Sequence, residues 1–157
     1  GRFGRRGEWP LHGWIGLALI ALFWTLNWSL TGLRTHWGFF PLWLGYSLTI
    51  DALVVRRKGH SLLTRNPAAY AGLFLVSAPA WWLFELINLR TQNWIYLGEA
   101  SFSTLEYAAF STLSFSTVMP AVFGTAEWAG TWEWVRRFPP GPAIRAPATP
   151  TSPSPRA

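Results

Sequence analysis

Residues 80–106 have the sequence AWWLFELINLRTQNWIYLGEASFSTLE, and the rest of the chain is arranged around this stretch. It leaves one apolar segment, crosses a short polar turn and enters the next apolar segment. Glu85 and Glu106 lie near the two edges of the crossing. The polar and aromatic residues between them include Asn88, Arg90, Gln92, Asn93, Trp94 and Tyr96. We therefore expect any chemistry of this chain to lie at this polar turn and the helix ends beside it.

The composition is typical of a chain that faces lipid. Of its 157 residues, 50% are hydrophobic and only 13% are charged, whereas soluble domains average about 25% charged residues. The 12 Trp residues suit membrane–water interfaces, where an indole has both an apolar body and a polar N–H. The absence of cysteine excludes disulfides and thiolate chemistry.

The net charge of +6 does not indicate a nucleic-acid partner, because the basic residues are clustered between apolar segments. Eleven of the 13 Lys and Arg residues fall in three regions: the N-terminal segment, the loop between the second and third apolar segments, and the C-terminal part. The exceptions are Arg34 and Arg90. Four membrane crossings place the three basic regions on one side, so the positive-inside rule predicts that both termini are cytoplasmic.

Four apolar segments are long enough to cross a bilayer, which takes about 20 residues. The sequence therefore predicts an all-α transmembrane bundle of four helices, at about 11–30, 37–55, 67–89 and 103–123. The fourth is rich in Ser and Thr, so we place it inside the bundle. The predicted parts are an irregular basic segment (1–10), a membrane domain ending in an interfacial helix extension (11–138) and a disordered Pro-rich tail (139–157). The chain begins at Gly1 rather than Met, so we expect a fragment or processed chain.

Glu85 and Glu106 are the candidate catalytic residues. Burying a charge at membrane depth is costly, so an ionisable residue there is by default a functional candidate. The predicted topology places both at a similar depth, where a protonated carboxyl group can act as an acid. The candidate substrate-binding residues around them are Trp81, Trp82, Asn88, Arg90, Asn93, Trp94, Tyr96 and Tyr107. The alternative is structural: each glutamate pairs with Arg90 or bonds a nearby amide or Trp N–H.

Two further groups of polar residues have structural interpretations. Asp51 lies near the cytoplasmic end of the second helix, and we expect Arg56, Arg57 and Lys58 to be its partners. The three histidines, at 12, 36 and 60, all fall at segment ends, and no pair has the i, i+4 spacing of a helical metal or haem site. We therefore predict no metal ion and no cofactor.

One part of the chain resembles a known family. Trp94, Tyr96 and Gly98 precede a helix start at Glu106, which is followed by aromatic residues, Ser and Thr. Over about 94–122 this pattern resembles the membrane-embedded lycopene cyclase domain of bacterial carotenoid synthesis. In that family a Trp/Tyr turn precedes a Pro-x-Glu-Glu helix start, and the acids are implicated in protonating a polyene. This chain has a single Glu there and no preceding Pro, so the resemblance implies a role for Glu106 alone.

These patterns predict a small multi-pass protein of the bacterial inner membrane, surrounded by lipid, that serves as an accessory or scaffold protein. Its partners would be other membrane subunits or copies of itself, and not nucleic acid. The alternative is a membrane enzyme or binding protein for a lipid-soluble isoprenoid or carotenoid, with acid catalysis by Glu106 and Glu85. A transporter is a third possibility, although the sequence has no inverted repeat.

Overall fold

The computed structural model describes residues 5–29, 38–96 and 103–142, and all regular structure within these ranges is helical. The predicted all-α class is therefore confirmed. The elements are α1 (Leu11–Ser29), α2 (Phe39–Lys58), α3 (Leu62–Arg65), α4 (Pro67–Thr91), α5 (Thr104–Phe115), α6 (Val118–Ala129) and α7 (Glu133–Arg136). The predictions for the loop around Arg34, for Gly98 and for most of the Pro-rich tail lie outside the described residues.

Helices α1, α2 and α4 are each long and apolar enough to cross a membrane. They correspond to the first three predicted segments. The prediction that α2 ends at 55 is wrong, because the helix continues to Lys58. Cations stabilise the negative end of a helix dipole, so the basic run extends the helix instead of ending it. Gly59 ends it in a left-handed conformation (φ 84°), and its N–H donates to Val55 O at 2.6 Å.

Helices α1 and α2 pack closely through glycines. A Cβ atom added at Gly16 would lie 2.5 Å from Thr49 Oγ1, and one added at Gly45 would lie 2.8 Å from Gly16 O. Both distances are far below van der Waals contact. Small residues allow two helix backbones to approach within a membrane, and any larger side chain at these positions would separate the helices.

The fourth predicted segment is not one continuous helix, so a bundle of four helices is not confirmed. It is divided into α5 and α6, of 12 residues each, at Ser116 and Thr117. Pro120 explains the break, because it has no N–H to donate to the carbonyl of Ser116 and its ring crowds that carbonyl. The buried hydroxyl of Ser77 on α4 enters the gap: Oγ donates to Phe115 O at 2.5 Å and accepts from Met119 N at 3.0 Å.

The helices pack side by side, so their termini lie at two opposite ends of the fold. We call these the basic end, near Asp51 and Lys58, and the pocket end, near Glu85 and Trp94. At the basic end α1 begins, α2 ends and α6 ends, as the contacts His12–Asp51 and Lys58–Glu127 show. At the pocket end α4 ends and α5 begins. The interfacial extension predicted over 127–138 is also not continuous, because α6 ends at Ala129 and a turn separates it from the four-residue α7.

Candidate functional site

The last turns of α4 and the segment after them fold back on one another at the pocket end. Gln92 adopts a left-handed conformation (φ 48°), and its N–H donates to Asn88 O at 2.7 Å. This cap reverses the chain. Asn88 then holds the returning segment with two bonds: its Nδ2 donates to Trp94 O at 2.9 Å, and its Oδ1 accepts from Trp94 N at 3.2 Å.

The half-buried Glu85 binds both aromatic residues of that segment through one oxygen atom. Glu85 Oε1 accepts from Trp94 Nε1 at 3.2 Å and from the Tyr96 hydroxyl at 2.5 Å. Burial, and then the hydrogen bond to Glu85, raise the pKa of Tyr96 above its ordinary value. The tyrosine therefore remains a hydroxyl donor at neutral pH, and the three side chains form one locked unit.

A pocket of about 420 Å³ opens beside this unit. Its lining residues are Trp82, Glu85, Leu86, Asn88, Leu89, Gln92, Trp94, Ile95, Tyr96 and Tyr107. The walls combine indole and phenol rings with aliphatic side chains. Trp81 packs behind the pocket, with its ring centroid 6.5 Å from that of Trp94, and Trp82 Nε1 donates to Thr112 Oγ1 at 3.0 Å. The pocket can accommodate an apolar ligand beside one carboxylate.

The predicted site residues do not all meet at this pocket. Glu106 is exposed at the start of α5, where it completes a capping box with Ser103. Its Oε2 accepts from Ser103 N at 3.3 Å, and Glu106 N donates to Ser103 Oγ at 3.3 Å. Arg90 and Asn93 are exposed on α4 and just after it. In the described part of the chain the two glutamates share no hydrogen-bond partner.

Sequence reasoning missed the most buried polar cluster, which surrounds Asp51 at the basic end. Asp51 is 1% exposed. Its Oδ2 accepts from Ser61 Oγ at 2.6 Å and lies 2.9 Å from His12 Nε2, while its Oδ1 accepts from Leu63 N at 3.2 Å. The cluster joins α1, α2 and α3, so its first role is to hold three elements together.

The predicted pairing of Asp51 with Arg56, Arg57 or Lys58 is wrong. On a helix only residues three or four positions apart share a face within one turn. The basic residues are five to seven positions away, so they lie on other faces or two turns further along. An aspartate within an apolar helix and a histidine in the first turn of the preceding, antiparallel helix were the sequence signal that could have found the pair.

Four buried polar atoms around this end lack a hydrogen-bond partner among the described residues: Trp9 Nε1, Ser47 Oγ, the Tyr70 hydroxyl and Glu127 Oε2. Ser47 precedes Asp51 by one helical turn, so both face the same side of α2. In the part of the chain that the structure describes, no group of three or more His, Asp or Glu side chains is placed to hold a metal ion.

The all-helical fold and its three long apolar helices fit the class of integral membrane proteins. No protein-family model, curated protein or solved structure matches the chain. Any assignment within that class therefore depends on the geometry of the polar groups described above.

Proposed function

We propose that the protein is a non-catalytic accessory or scaffold subunit of the bacterial inner membrane. One observation supports this: all three carboxylates of the candidate sites accept hydrogen bonds from the chain's own donors. Glu85 binds Trp94 and Tyr96, Glu106 binds Ser103, and Asp51 binds Ser61 and Leu63 N. The bonds of Glu85 and Asp51 join separate parts of the fold, and that of Glu106 caps the start of α5.

A general acid must bring its proton within hydrogen-bond reach of the substrate. Glu85 Oε1 instead accepts two hydrogen bonds, and both donors lie in the segment that follows α4. The carboxylate thus anchors that segment on the helix. The capping bond of Glu106 similarly stabilises the start of α5. These contacts support structural roles for the two acids.

The proposed arrangement has four crossings, with α5 and α6 together forming the fourth and both termini cytoplasmic. Two contacts support the shared crossing: Trp82 on α4 binds Thr112 on α5 towards the pocket end, and Lys58 on α2 binds Glu127 on α6 at the basic end. The segment from α5 to α6 thereby passes between the two ends. The clustering of basic residues supports the orientation.

The accessory proposal is tested by solubilising the protein, expressed at native level, in a mild detergent and measuring its mass by light scattering. We expect an assembly with a fixed ratio of subunits, either copies of this chain or a second membrane protein. Glu85→Gln and Glu106→Gln should keep the same ratio. A monomeric protein, together with isoprenoid turnover that disappears in Glu106→Gln, would contradict the proposal.

The second candidate function is binding or acid-catalysed conversion of a lipid-soluble isoprenoid or carotenoid. The aromatic pocket at the pocket end favours it, because ring faces pack well on a polyene and stabilise a carbocation. The resemblance of 94–122 to the lycopene cyclase domain supports the same ligand class. The catalytic acids would be Glu106 and Glu85.

This second function is tested by organic extraction of the purified protein, followed by an absorbance spectrum and mass spectrometry. If it is correct, an isoprenoid accompanies the wild type and is lost from Trp82→Leu, which removes one pocket wall. Trp28→Leu is the matched control, because that indole is 76% exposed and does not line the pocket. Equal extracts from all three proteins would exclude the pocket as the binding site.

A further inference from the structure

A second pocket lies at the basic end, and its walls come from three separate parts of the chain. It has a volume of about 550 Å³ and is lined by Arg6, Gly7, Arg56, Arg57, Lys58, His60, Thr131 and Arg136. Five of these residues are cationic and none is acidic. The positive-inside rule explains why basic residues lie on one side of a membrane, but it does not require them to surround one concavity.

The first wall is held in place by backbone contacts. Gly7 N donates to Arg56 O at 2.8 Å, which fastens the N-terminal segment to the last turn of α2. Gly59 allows the close approach, because a Cβ atom there would lie 3.3 Å from Arg6 N. The left-handed conformation of Gly59 also disfavours any other residue at this position. Arg6 is therefore kept beside the end of α2.

The cations that line the pocket differ in whether they already form a salt bridge or a cation–π contact within the protein. The Arg57 guanidinium lies 4.2 Å from the centroid of the Trp132 ring, a cation–π contact that orients it. Lys58 lies 3.4 Å from Glu127, whose same oxygen accepts from Arg65 at 2.6 Å. The remaining lining arginines form no salt bridge within the described ranges. They are Arg6, Arg56 and Arg136.

We propose that this pocket binds the phosphate ester of an anionic phospholipid headgroup. Arg56, Arg57 and Lys58 lie in the last turn of α2, which is long and apolar enough to cross a membrane. The end of such a helix is expected at the depth of the lipid headgroups. Arginine and lysine bind phosphate through charge-assisted hydrogen bonds, and basic pockets between membrane helices are suited to phospholipid headgroups. The volume is within the range of about 300–1,000 Å³ typical of small-molecule sites, which is ample for a phosphate with its glycerol group.

This binding site goes beyond the accessory role, because it specifies a ligand whichever function the pocket end has. It also explains why the basic residues converge: bound phosphate would offset the mutual repulsion of the cations. The phosphate would join the N-terminal segment, α2 and α7. Lipid binding would therefore stabilise the basic end of the fold.

The experiment compares nanodiscs of phosphatidylcholine alone with nanodiscs that contain phosphatidylglycerol, using native mass spectrometry to count retained lipids and a thermal melt to measure stabilisation. The wild type should retain phosphatidylglycerol and melt at a higher temperature. Each cation near the surface contributes measurably to anionic lipid binding, so Arg56→Gln combined with Arg136→Gln should reduce retention by about tenfold or more.

Arg90→Gln is the matched control, because Arg90 is exposed at the opposite end of α4. It should retain phosphatidylglycerol like the wild type. Equal retention by the wild type, the double variant and this control would overturn the proposal, since Arg56 and Arg136 would then contribute nothing to lipid binding. A loss in Arg90→Gln as large as that in Arg136→Gln would overturn it as well, since the lipid would then respond only to the overall charge.

Two further measurements complete the test. Inorganic phosphate and glycerol phosphate, added to phosphatidylcholine nanodiscs, should give no comparable stabilisation; an equal effect would overturn the lipid source and assign the site to a soluble phosphate ester. If the double variant does not melt like the wild type in phosphatidylcholine alone, Arg136→Gln is used by itself, because Arg136 is exposed in the short α7. Unchanged phosphatidylglycerol retention in this folded variant would likewise overturn the proposal.

Discussion

Replacing Ser77 by alanine tests the account of the broken fourth segment. The Ser77 hydroxyl is buried and bridges the break, donating to Phe115 O and accepting from Met119 N. In Ser77→Ala both backbone groups lose this partner. A buried polar group left unsatisfied costs about 1–3 kcal/mol, so two such groups set an upper limit of about 6 kcal/mol.

The expected loss is smaller than this limit, because Phe115 O and Met119 N are the groups that would bond each other in a continuous helix. Partial closure of the gap would recover some of the energy. Single side-chain hydrogen bonds within membranes average about 0.6 kcal/mol, but Ser77 makes two bonds to backbone groups. We therefore expect Ser77→Ala to lower the free energy of unfolding by about 2 kcal/mol.

The assay is reversible unfolding in mixed micelles with increasing SDS, with Ser29→Ala as the control because Ser29 is exposed at the end of α1. The same measurement in a Pro120→Ala background completes a double-mutant cycle. Without Pro120 the helix can close, so Ser77→Ala should then cost less than about 1 kcal/mol. Two results would refute the bridging role. One is that Ser77→Ala lowers the free energy of unfolding of the otherwise wild-type protein by less than about 0.5 kcal/mol. The other is that it has the same effect in the wild-type and Pro120→Ala backgrounds.

Three other predictions concern packing, the buried carboxylate and topology. Gly16→Ala should lower the melting temperature in detergent, whereas Gly72→Ala, with open space around its Cβ position, should be neutral or stabilising by about 1 kcal/mol; equal shifts would contradict close α1–α2 packing. Asp51→Leu should cost about 3 kcal/mol or more in SDS unfolding, since it leaves several buried donors without an acceptor, and a neutral result would show that the cluster is dispensable. A reporter fused after Phe138 should be cytoplasmic and one inserted near Gln92 external; the same side for both would exclude an odd number of crossings between them.

The contacts at the pocket end could largely be predicted from the sequence, because the residues that bind each other are close along the chain. Glu85 is followed by Trp94 nine positions later and by Tyr96 eleven positions later, so a single turn after α4 brings them together. The sequence prediction included a Trp N–H among the structural partners of the glutamates, and Glu85 has one. The predicted grouping of Glu106 with Glu85 remains without a shared partner in the described residues.

The contacts at the basic end could not be predicted from the sequence in the same way. Asp51 and His12 are 39 positions apart, and periodicity along one helix does not show which face meets a neighbouring helix. The crossing of α1 and α2 at their glycines sets that alignment. The glycines at 13, 16 and 45 were visible in the sequence as small residues, but their pairing depends on the relative shift of two helices.

The sequence by itself determined that the chain is helical and that positive charge is concentrated in a few regions. It predicted four membrane-crossing segments, of which the first three correspond to the long apolar helices α1, α2 and α4. These properties depend on the length and composition of local segments, because a bilayer requires about 20 apolar residues in succession whatever surrounds them. Only the tertiary structure decided that Ser77 enters the break before Pro120 and that Asp51 is surrounded by donors from other elements. It also decided that arginines from three separate parts of the chain line one pocket, because contacts between distant segments depend on how the helices pack.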